Sequence, residues 1–373
     1  MADINVKRFV DINIVANPVT TSSGIRDTIV LFTPEGTLGQ DVVIETLAAA
    51  QARYSVQSAP ITRQYLTVFF NNGGVKCRVI EGKDIGDVTG DAIKALANEY
   101  ILIAFAASNE IVTVEEEEMK KVELAYSVLK NIAISRAADT TIYGINEKII
   151  LARSEDFSDI TSVENFAVKY STVVGAEMTM AAYLSRIDVY RSNSVEDYAF
   201  TQETLVAENV TDTDYETLTN NGYNVDIVFA GATRNMNGNM KDRLDLVNNF
   251  VRIILHQTLT SKLSLLLAQK LKNNSSISRI YSTIAQELEE YNKCGYLTGD
   301  KVWTDDDLIY TYNQQQYVIV TSGTPLTSGY LIKVLPFTAL TAEDKQAHKA
   351  PPIYIIIADQ YGIRQITIQG EVL

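Results

Sequence analysis

The chain has 373 residues, of which 46% are hydrophobic and 21% are charged, and its formal net charge is −14 at neutral pH. A chain of this length and composition is expected to fold into two or three globular domains, and its acidic excess argues against nucleic acid as a partner because polyphosphate would be repelled. Two cysteines and two histidines are too few for a disulfide framework or a Cys/His metal centre.

An N-terminal arm is predicted for residues 1–20. Apolar and polar residues alternate over 9–16, which is the period of a half-buried strand, and the Thr/Ser/Gly-rich stretch 19–24 predicts a flexible joint. The first residues lack the charged start and apolar core of a signal peptide, and no stretch approaches the ~20 apolar residues of a membrane span. We therefore expect folding in a reducing cytoplasm and no direct membrane insertion.

Residues 21–110 are predicted to form an α/β part of the core or a first domain. Apolar runs at 28–32, 77–80 and 101–107 predict strands, and helical spacing over 39–54, 61–70 and 91–100 predicts helices between them. This alternation is typical of a mixed α/β fold with a mostly parallel sheet.

Residues 111–224 are predicted to be an inserted or outward-facing subdomain. A helix is expected over 114–134, opened by the acidic run 115–118, because carboxylates favour the positive end of the helix dipole. Polar stretches follow up to residue 224.

A C-terminal core domain of sheet and helices is predicted for residues 225–358, followed by an arm at 359–373. The pattern predicts a strand at 225–230, a loop at 231–240, long helices at 242–271 and 277–291, and strands at 329–335 and 353–358. The last residues alternate again, so that the chain carries a period-two strand near each end.

Both terminal strands are predicted to pair with a sheet, either within their own domain or in a neighbouring molecule. Pairing with a neighbour would be strand addition between subunits, and a seven-residue strand would reach about 23 Å. The residues predicted to take part are Phe9, Val10, Ile12, Ile14, Ile363, Ile366, Ile368 and Val372.

Catalytic, cofactor-binding and metal-binding motifs are not found in the sequence. It has no phosphate-binding loop, dinucleotide fingerprint, nucleophile elbow or zinc-protease helix. The acidic run 305–307 lacks the ligand spacing of a calcium loop, and His256 lies in the long predicted helix. We predict a protein that is not an enzyme and needs no cofactor, with an α/β enzyme built from distant residues such as these as the alternative.

The segment from Tyr65 to Ile80, the order of elements from Gly329 onward and the long helix after 225–230 resemble the contractile tail sheath proteins of bacteriophages and R-type bacteriocins. The likeness covers about the first 110 and last 150 residues. It consists of the order of the elements and their general residue pattern, without an invariant motif.

The resemblance implies a structural virion protein whose hexameric rings stack into a helical sheath around a tail tube. Contraction of such a sheath, which is assembled in the host cytoplasm, drives the tube through the host cell envelope for genome ejection. Strand exchange between the terminal arms and neighbouring subunits holds it together, and flexible joints, here residues 19–24 and 359–362, would let the subunits rotate. The implied partners are further copies of the chain, the tail tube protein, and baseplate and tail terminator proteins. Weak candidates for the tube contact are Lys262, Lys270 and Lys272. Another self-assembling component of a virion or secretion machine is a further alternative.

Overall fold

A computed structural model describes residues 29–96, 100–114, 116–137, 148–267, 274–346 and 351–360. The chain divides into two compact units. The α/β unit comprises the described parts of residues 23–187 and 197–253, and the C-terminal unit those of residues 188–196 and 254–361. Within the described ranges, no helix combines the length and the apolar character needed to cross a membrane.

The α/β unit is built on an eight-stranded sheet with the order β10-β9-β8-β7-β4-β1-β3-β2. The six strands between the edges run parallel, whereas β2 and β10 pair antiparallel at the two edges. A separate antiparallel hairpin is formed by β5 and β6. The strands are β1 Ile29–Phe32, β2 Asp41–Ile44, β3 Cys77–Ile80, β4 Leu102–Phe105, β5 Ile111–Val114, β6 Glu117–Lys120, β7 Ile149–Ser154, β8 Phe166–Tyr170, β9 Tyr223–Phe229 and β10 Ala232–Asn235.

Helices of the α/β unit connect these strands and bury the sheet. On one side, Val30, Ile103, Ile150 and Phe166 share a core cluster with Leu129 of α4. Strands β1, β4 and β7 are buried at every position, as expected of parallel strands with both faces covered. The helices are α1 Leu47–Arg53, α2 Pro60–Asn71, α3 Gly90–Lys94, α4 Lys121–Ala137, α5 Met178–Leu184 and α6 Asp212–Asn220.

The C-terminal unit combines helices with two small antiparallel sheets, β11–β12 and β13–β14. The core cluster of this unit includes Trp303, Ile319, Leu326, Leu335 and Ile356. Helix α7 begins in the α/β unit and continues into this one. The elements are α7 Leu246–Leu267, α8 Asn274–Lys293, β11 Leu308–Tyr312, β12 Gln315–Val320, β13 Tyr330–Val334, α9 Ala342–Gln346 and β14 Ile353–Ile357.

The mixed α/β class and the mostly parallel sheet that the sequence predicted are confirmed, but several local predictions are wrong. The predicted helix 39–54 begins with strand β2, and the predicted loop 231–240 contains strand β10. The acidic residues Glu117 and Glu118 belong to the β5–β6 hairpin and not to a helix start, because Glu116 turns the chain with a φ of +74°. Helix α4 begins only at Lys121.

The domain boundaries also differ from those predicted. Strands β7 and β8, which fall in the supposed insert 111–224, pair in the same sheet as β1 and β3. The middle of the chain is therefore part of the α/β unit, since its strands continue the hydrogen-bonded ladder. The predicted arm 1–20 and residues 361–373 of the predicted C-terminal arm lie outside the described residues.

Candidate strand-acceptor site

Strands β13 and β14 form a two-stranded antiparallel sheet. The hydrogen bonds at its two ends show its hydrogen-bonding phase, that is, which residues bond to the partner strand and which face outward. The amide of Leu335 donates to the carbonyl oxygen of Pro352 at 3.0 Å, and the amide of Ala358 donates to that of Gly329 at 2.8 Å. In an antiparallel pair, hydrogen-bonded and non-hydrogen-bonded residues alternate. The peptide groups of Leu331 and Lys333 therefore point toward β14.

The remaining peptide groups of the pair point outward, away from the partner strand. By the same alternation and the observed register, the outward-facing residues are Tyr330, Ile332 and Val334 on β13 and Ile353, Ile355 and Ile357 on β14. No other described strand pairs with either edge. Such edges are templates for pairing with another chain.

The two faces of this sheet, in contrast, are occupied. Leu331, Tyr354 and Ile356 pack into the core cluster of the unit. On the other face, helix α8 contacts β13, and the Tyr330 hydroxyl donates to Glu289 Oε1 at 2.7 Å. Ile355, which points to this second face, is only 1% exposed. A partner could therefore join the sheet at its edges but not by covering a face.

The chain leaves β14 along a fixed path. The amide of Thr298 donates to the carbonyl oxygen of Ala358 at 2.9 Å, and the amide of Gln360 donates to that of Tyr296 at 2.8 Å. The Lys301 ammonium donates to the carbonyl oxygen of Asp359. The predicted joint 359–362 is wrong for its first two residues, because both are bonded to the body of the C-terminal unit.

Most residues predicted for subunit contacts fall outside the described part of the chain. These are the eight terminal-strand residues, Phe9, Val10, Ile12, Ile14, Ile363, Ile366, Ile368 and Val372, together with Lys270 and Lys272. They stay predictions.

Lys262, the third predicted tube contact, has an intrachain partner that sequence reasoning missed. It lies on α7, and its ammonium pairs with the carboxylate of Glu287 on α8. Glu287 is buried and also accepts a hydrogen bond from the Tyr190 hydroxyl at 3.0 Å. Burial and the nearby carboxylate raise the pKa of Tyr190. The available signal was a Glu placed at helical spacing beside the buried apolar residues Ile284 and Leu288.

The groups named for an enzymatic alternative have structural partners. The Asp307 carboxylate accepts from the amide of Ser322 at 2.8 Å, and the carbonyl oxygen of Asp306 accepts from the Trp303 indole at 3.0 Å, so the acidic run shapes the turn before β11. His256 is half-buried on α7. In the parts of the chain that the structure describes, no group of three or more His, Cys, Asp and Glu side chains is placed to hold a metal.

The α/β sheet has a second place where a ligand would be expected, between β1 and β4, where the strand order reverses. Helix α2 starts beside this point, and helix N-termini bind phosphate groups. Here the chain's own Glu35 carboxylate accepts from the amides of Ile61 and Thr62, at 3.1 and 2.7 Å. This carboxylate already takes up the helix N-terminus that a phosphate would use.

No protein-family model and no curated protein matches the chain, but solved structures do. A chain of the anti-feeding prophage (AFP) baseplate is 17% identical and is matched over 96% of both chains with a TM-score of 0.64. A chain of the AFP helical sheath in the contracted state is 16% identical, with 96% of both chains covered and a TM-score of 0.61. A sheath tail protein from Desulfitobacterium hafniense is 9% identical over 80% of this chain and 93% of that one, with a TM-score of 0.51. The chain thus has the fold of contractile tail sheath proteins, as the sequence resemblance implied.

Proposed function

We propose that the protein is a structural subunit of a contractile tail sheath. The observation that carries the proposal is the β13–β14 sheet, whose two faces are packed against the rest of the C-terminal unit and whose two edges pair with no other described strand. The likeness to an AFP sheath chain over 96% of both chains supports the same conclusion.

In this proposal, the predicted terminal strands of neighbouring subunits pair with the outward-facing edges of β13 and β14. Each backbone hydrogen bond contributes about 0.5–1.5 kcal/mol net. A strand that makes about four such bonds would therefore contribute about 2–6 kcal/mol, and side chains packed beside it would add to this. Many weak junctions of this kind can hold a sheath together and still allow it to rearrange.

The subunits would form stacked rings around a tail tube and contract to drive the tube through the host envelope. The energy would come from changed contacts between subunits, so that the chain would need neither a cofactor nor an active site. Its partners would be further copies of itself, the tube, and the baseplate and terminator proteins. The particle would be assembled in the host cytoplasm and the protein would reside in the virion tail. Lys262, whose side chain is 42% exposed beside Glu287, would remain accessible to the tube, together with Lys270 and Lys272.

The proposal is tested by negative-stain electron microscopy of the purified chain with its tube protein, using Ile332→Pro as the informative variant. Proline at this position removes an amide that points out of the β13 edge, and proline is tolerated on edge strands. Wild type should form striated tubes or rings, while the variant should stay dispersed with an unchanged circular dichroism spectrum. Ile332→Val retains the amide and is the matched control.

Two results would contradict the proposal at different levels. A wild-type chain that remains monomeric with its tube protein at high concentration would refute the sheath subunit. Normal tubes from Ile332→Pro, and from the corresponding Ile353→Pro on β14, would refute only the edges as acceptors. Assemblies without tubes or rings would favour another component of a virion or secretion machine.

A further inference from the structure

A buried cluster in the α/β unit places two carboxylates against one ammonium group. Lys169 of β8 donates to Asp226 Oδ1 at 2.6 Å and to both carboxylate oxygens of Glu203 at 3.0 and 3.1 Å. The Tyr198 hydroxyl also donates to Glu203. Lys169 and Asp226 are at most 1% exposed, and Glu203 is 7% exposed.

The other groups around this cluster do not supply a second positive charge to it. Asn235 of β10 and Thr179 of α5 are neutral and contact Lys169 and Tyr198 respectively. Arg153 of β7 is the cross-strand neighbour of Lys169. Its guanidinium donates to Asn109, to the carbonyl oxygen of Ser171 and to Glu155.

Arg153 is also the nearest cation to Glu177 at the start of α5, with its Nε 3.9 Å from that carboxylate. The described surroundings of Lys169 therefore hold one cation for two buried carboxylates. Burying an unpaired charge is costly, and a group in this position keeps its proton instead.

Glu203 belongs to a segment that lies along the edge of the eight-stranded sheet. The amides of Phe200 and Glu203 donate to the carbonyl oxygens of Asn235 and Thr233 on β10, at 2.6 and 3.0 Å. The amide of Glu208 donates to the carbonyl oxygen of Asp226 at 2.7 Å. Residues 200–203 thus cover part of the edge strand β10, and Glu208 binds the neighbouring strand β9.

The backbone of this segment contains one unfavourable conformation. Phe200 has a φ of +64°, a left-handed conformation that bulky residues seldom adopt. Such a residue persists only while its surroundings hold it. The segment therefore depends on its contacts with the sheet, which include the buried contacts of Tyr198 and Glu203 with Lys169.

We propose that the Lys169–Glu203–Asp226 cluster is a proton-dependent clasp that holds residues 197–208 on the sheet edge. Asp226 carries the proton, because its Oδ2 has no hydrogen-bond partner among the described residues, whereas both oxygens of Glu203 accept hydrogen bonds. Burial raises the pKa of Asp226 to about 7, against the opposing effect of Lys169 and with a further increase from Glu203. This inference does not depend on the proposed sheath function.

The direction of the pH effect follows from proton linkage. In the closed state, residues 197–208 lie on the sheet edge, and in the released state they have left it. In the released state, Asp226 is solvated and titrates near its ordinary pKa of about 4. Between about pH 4 and pH 7 the closed state therefore binds the additional proton, so raising the pH favours release. Above the closed-state pKa both states are ionised and the dependence levels off.

The test measures hydrogen exchange of the amides of Phe200, Glu203 and Glu208 in the full chain, corrected for the intrinsic pH dependence of exchange. Protection in the wild type should fall at least about tenfold between pH 5 and pH 7.5. Asp226→Asn cannot ionise and should show the same protection at both pH values. Glu208→Gln, which changes a carboxylate of the same segment that binds Ser171 and Thr172, is the matched control and should retain the wild-type dependence.

The clasp is refuted if wild-type protection does not change with pH, or if Asp226→Asn keeps the wild-type slope. Should Asp226→Asn fail to fold, Glu203→Gln provides the same test. With one carboxylate left for Lys169, the pKa of Asp226 should fall because the nearby charge of Glu203 is removed, and the pH dependence should weaken. A wild-type slope in Glu203→Gln would equally overturn the proposal.

Discussion

The backbone amide of Gln360 donates a hydrogen bond to the carbonyl oxygen of Tyr296, at 2.8 Å. This bond fixes the last described residue of the chain to the C-terminal unit, three residues after strand β14, whose outer edge pairs with no other described strand. The predicted terminal strand begins at residue 363, so only two residues separate the fixed part of the chain from the strand proposed to enter a neighbour.

The apolar face of the terminal strand should decide assembly. Changing both Ile366 and Ile368 to Asp places charges on the face that the alternation predicts to be buried. We expect this variant to lose tubes in electron micrographs while its thermal unfolding midpoint as a monomer stays unchanged. Changing Gln365 and Thr367 to Asp adds the same charge to the opposite face and should preserve assembly. Equal loss in both variants would show that charge, and not the strand face, is responsible.

The ion pair between Lys262 and Glu287 should contribute to the stability of the C-terminal unit. Lys262→Met leaves the buried carboxylate of Glu287 without its cation, and we expect a loss of about 1–3 kcal/mol in the free energy of unfolding. Lys293→Met disrupts a more exposed ion pair, between Lys293 and Glu290 of α8. This variant should cost less than about 1 kcal/mol. Chemical denaturation measures both.

A double variant separates charge pairing from other effects at this site. Lys262→Met combined with Glu287→Gln removes both charges and should recover part of the stability lost in Lys262→Met. If the double variant is no more stable than Lys262→Met alone, the ion pair does not account for the loss.

Lys241 should make unfolding of the α/β unit pH-dependent on the alkaline side. It is buried over the Tyr223 ring and donates to the carbonyl oxygens of Asp159 and Asn221 at 2.7 and 2.8 Å. Burial lowers its pKa to about 8, so above pH 8 the unfolded state binds more protons and stability rises with pH.

The contribution of Lys241 is isolated by comparison with Lys241→Met, because cysteines and tyrosines also titrate in this range. From pH 8 to pH 9.5, wild type should gain up to about 2 kcal/mol relative to the variant, measured by urea unfolding at each pH. Lys121→Met alters an exposed lysine paired with Glu110 and should parallel wild type. A constant difference between wild type and Lys241→Met would contradict the prediction.

Gly299 should be intolerant of any side chain. A Cβ at this position would lie 2.2 Å from the carbonyl oxygen of Thr327, and that backbone atom cannot move without displacing the chain that leads into β13. We expect Gly299→Ala to lower stability by about 1–3 kcal/mol in thermal or chemical unfolding. Gly86→Ala, where nothing lies within 4 Å, should change it little. An unaffected Gly299→Ala would show that the close approach relaxes easily.

The elements that the sequence predicted well are those with strong, simple patterns. β1, β3 and β14 are short apolar runs, and α2 and α8 have helical spacing over several turns. In β14 both Ile355 and Ile356, which point to opposite faces, are buried, as the continuous apolar run of this strand requires. Local pattern was sufficient where burial alone determines the element.

Predictions failed where distant residues decide the structure. β2 reads as part of a helix because Val42 and Val43 fit both periods, and only pairing with β3 makes it a strand. β10 has little apolar character and is set by its turn at Ala230 and Gly231, both with positive φ. The ion pair of Lys262 joins it to a residue of another helix that lies 25 positions later in the chain. The cluster around Lys169 includes a residue that lies 66 positions away. The open edges of β13 and β14 depend on hydrogen-bonding phase, which residue type does not encode.

The fixed position of Gln360 has a mechanical consequence for an assembly linked by strand exchange. The three extended steps from residue 360 to residue 363 span about 10 Å, so a neighbour that holds the strand from residue 363 could not withdraw by more than about that distance before the backbone came under tension. Rotation about the few single bonds in between would remain possible. Such a lattice would change its length by pivoting of whole subunits about short connections, and not by stretching of the connections themselves.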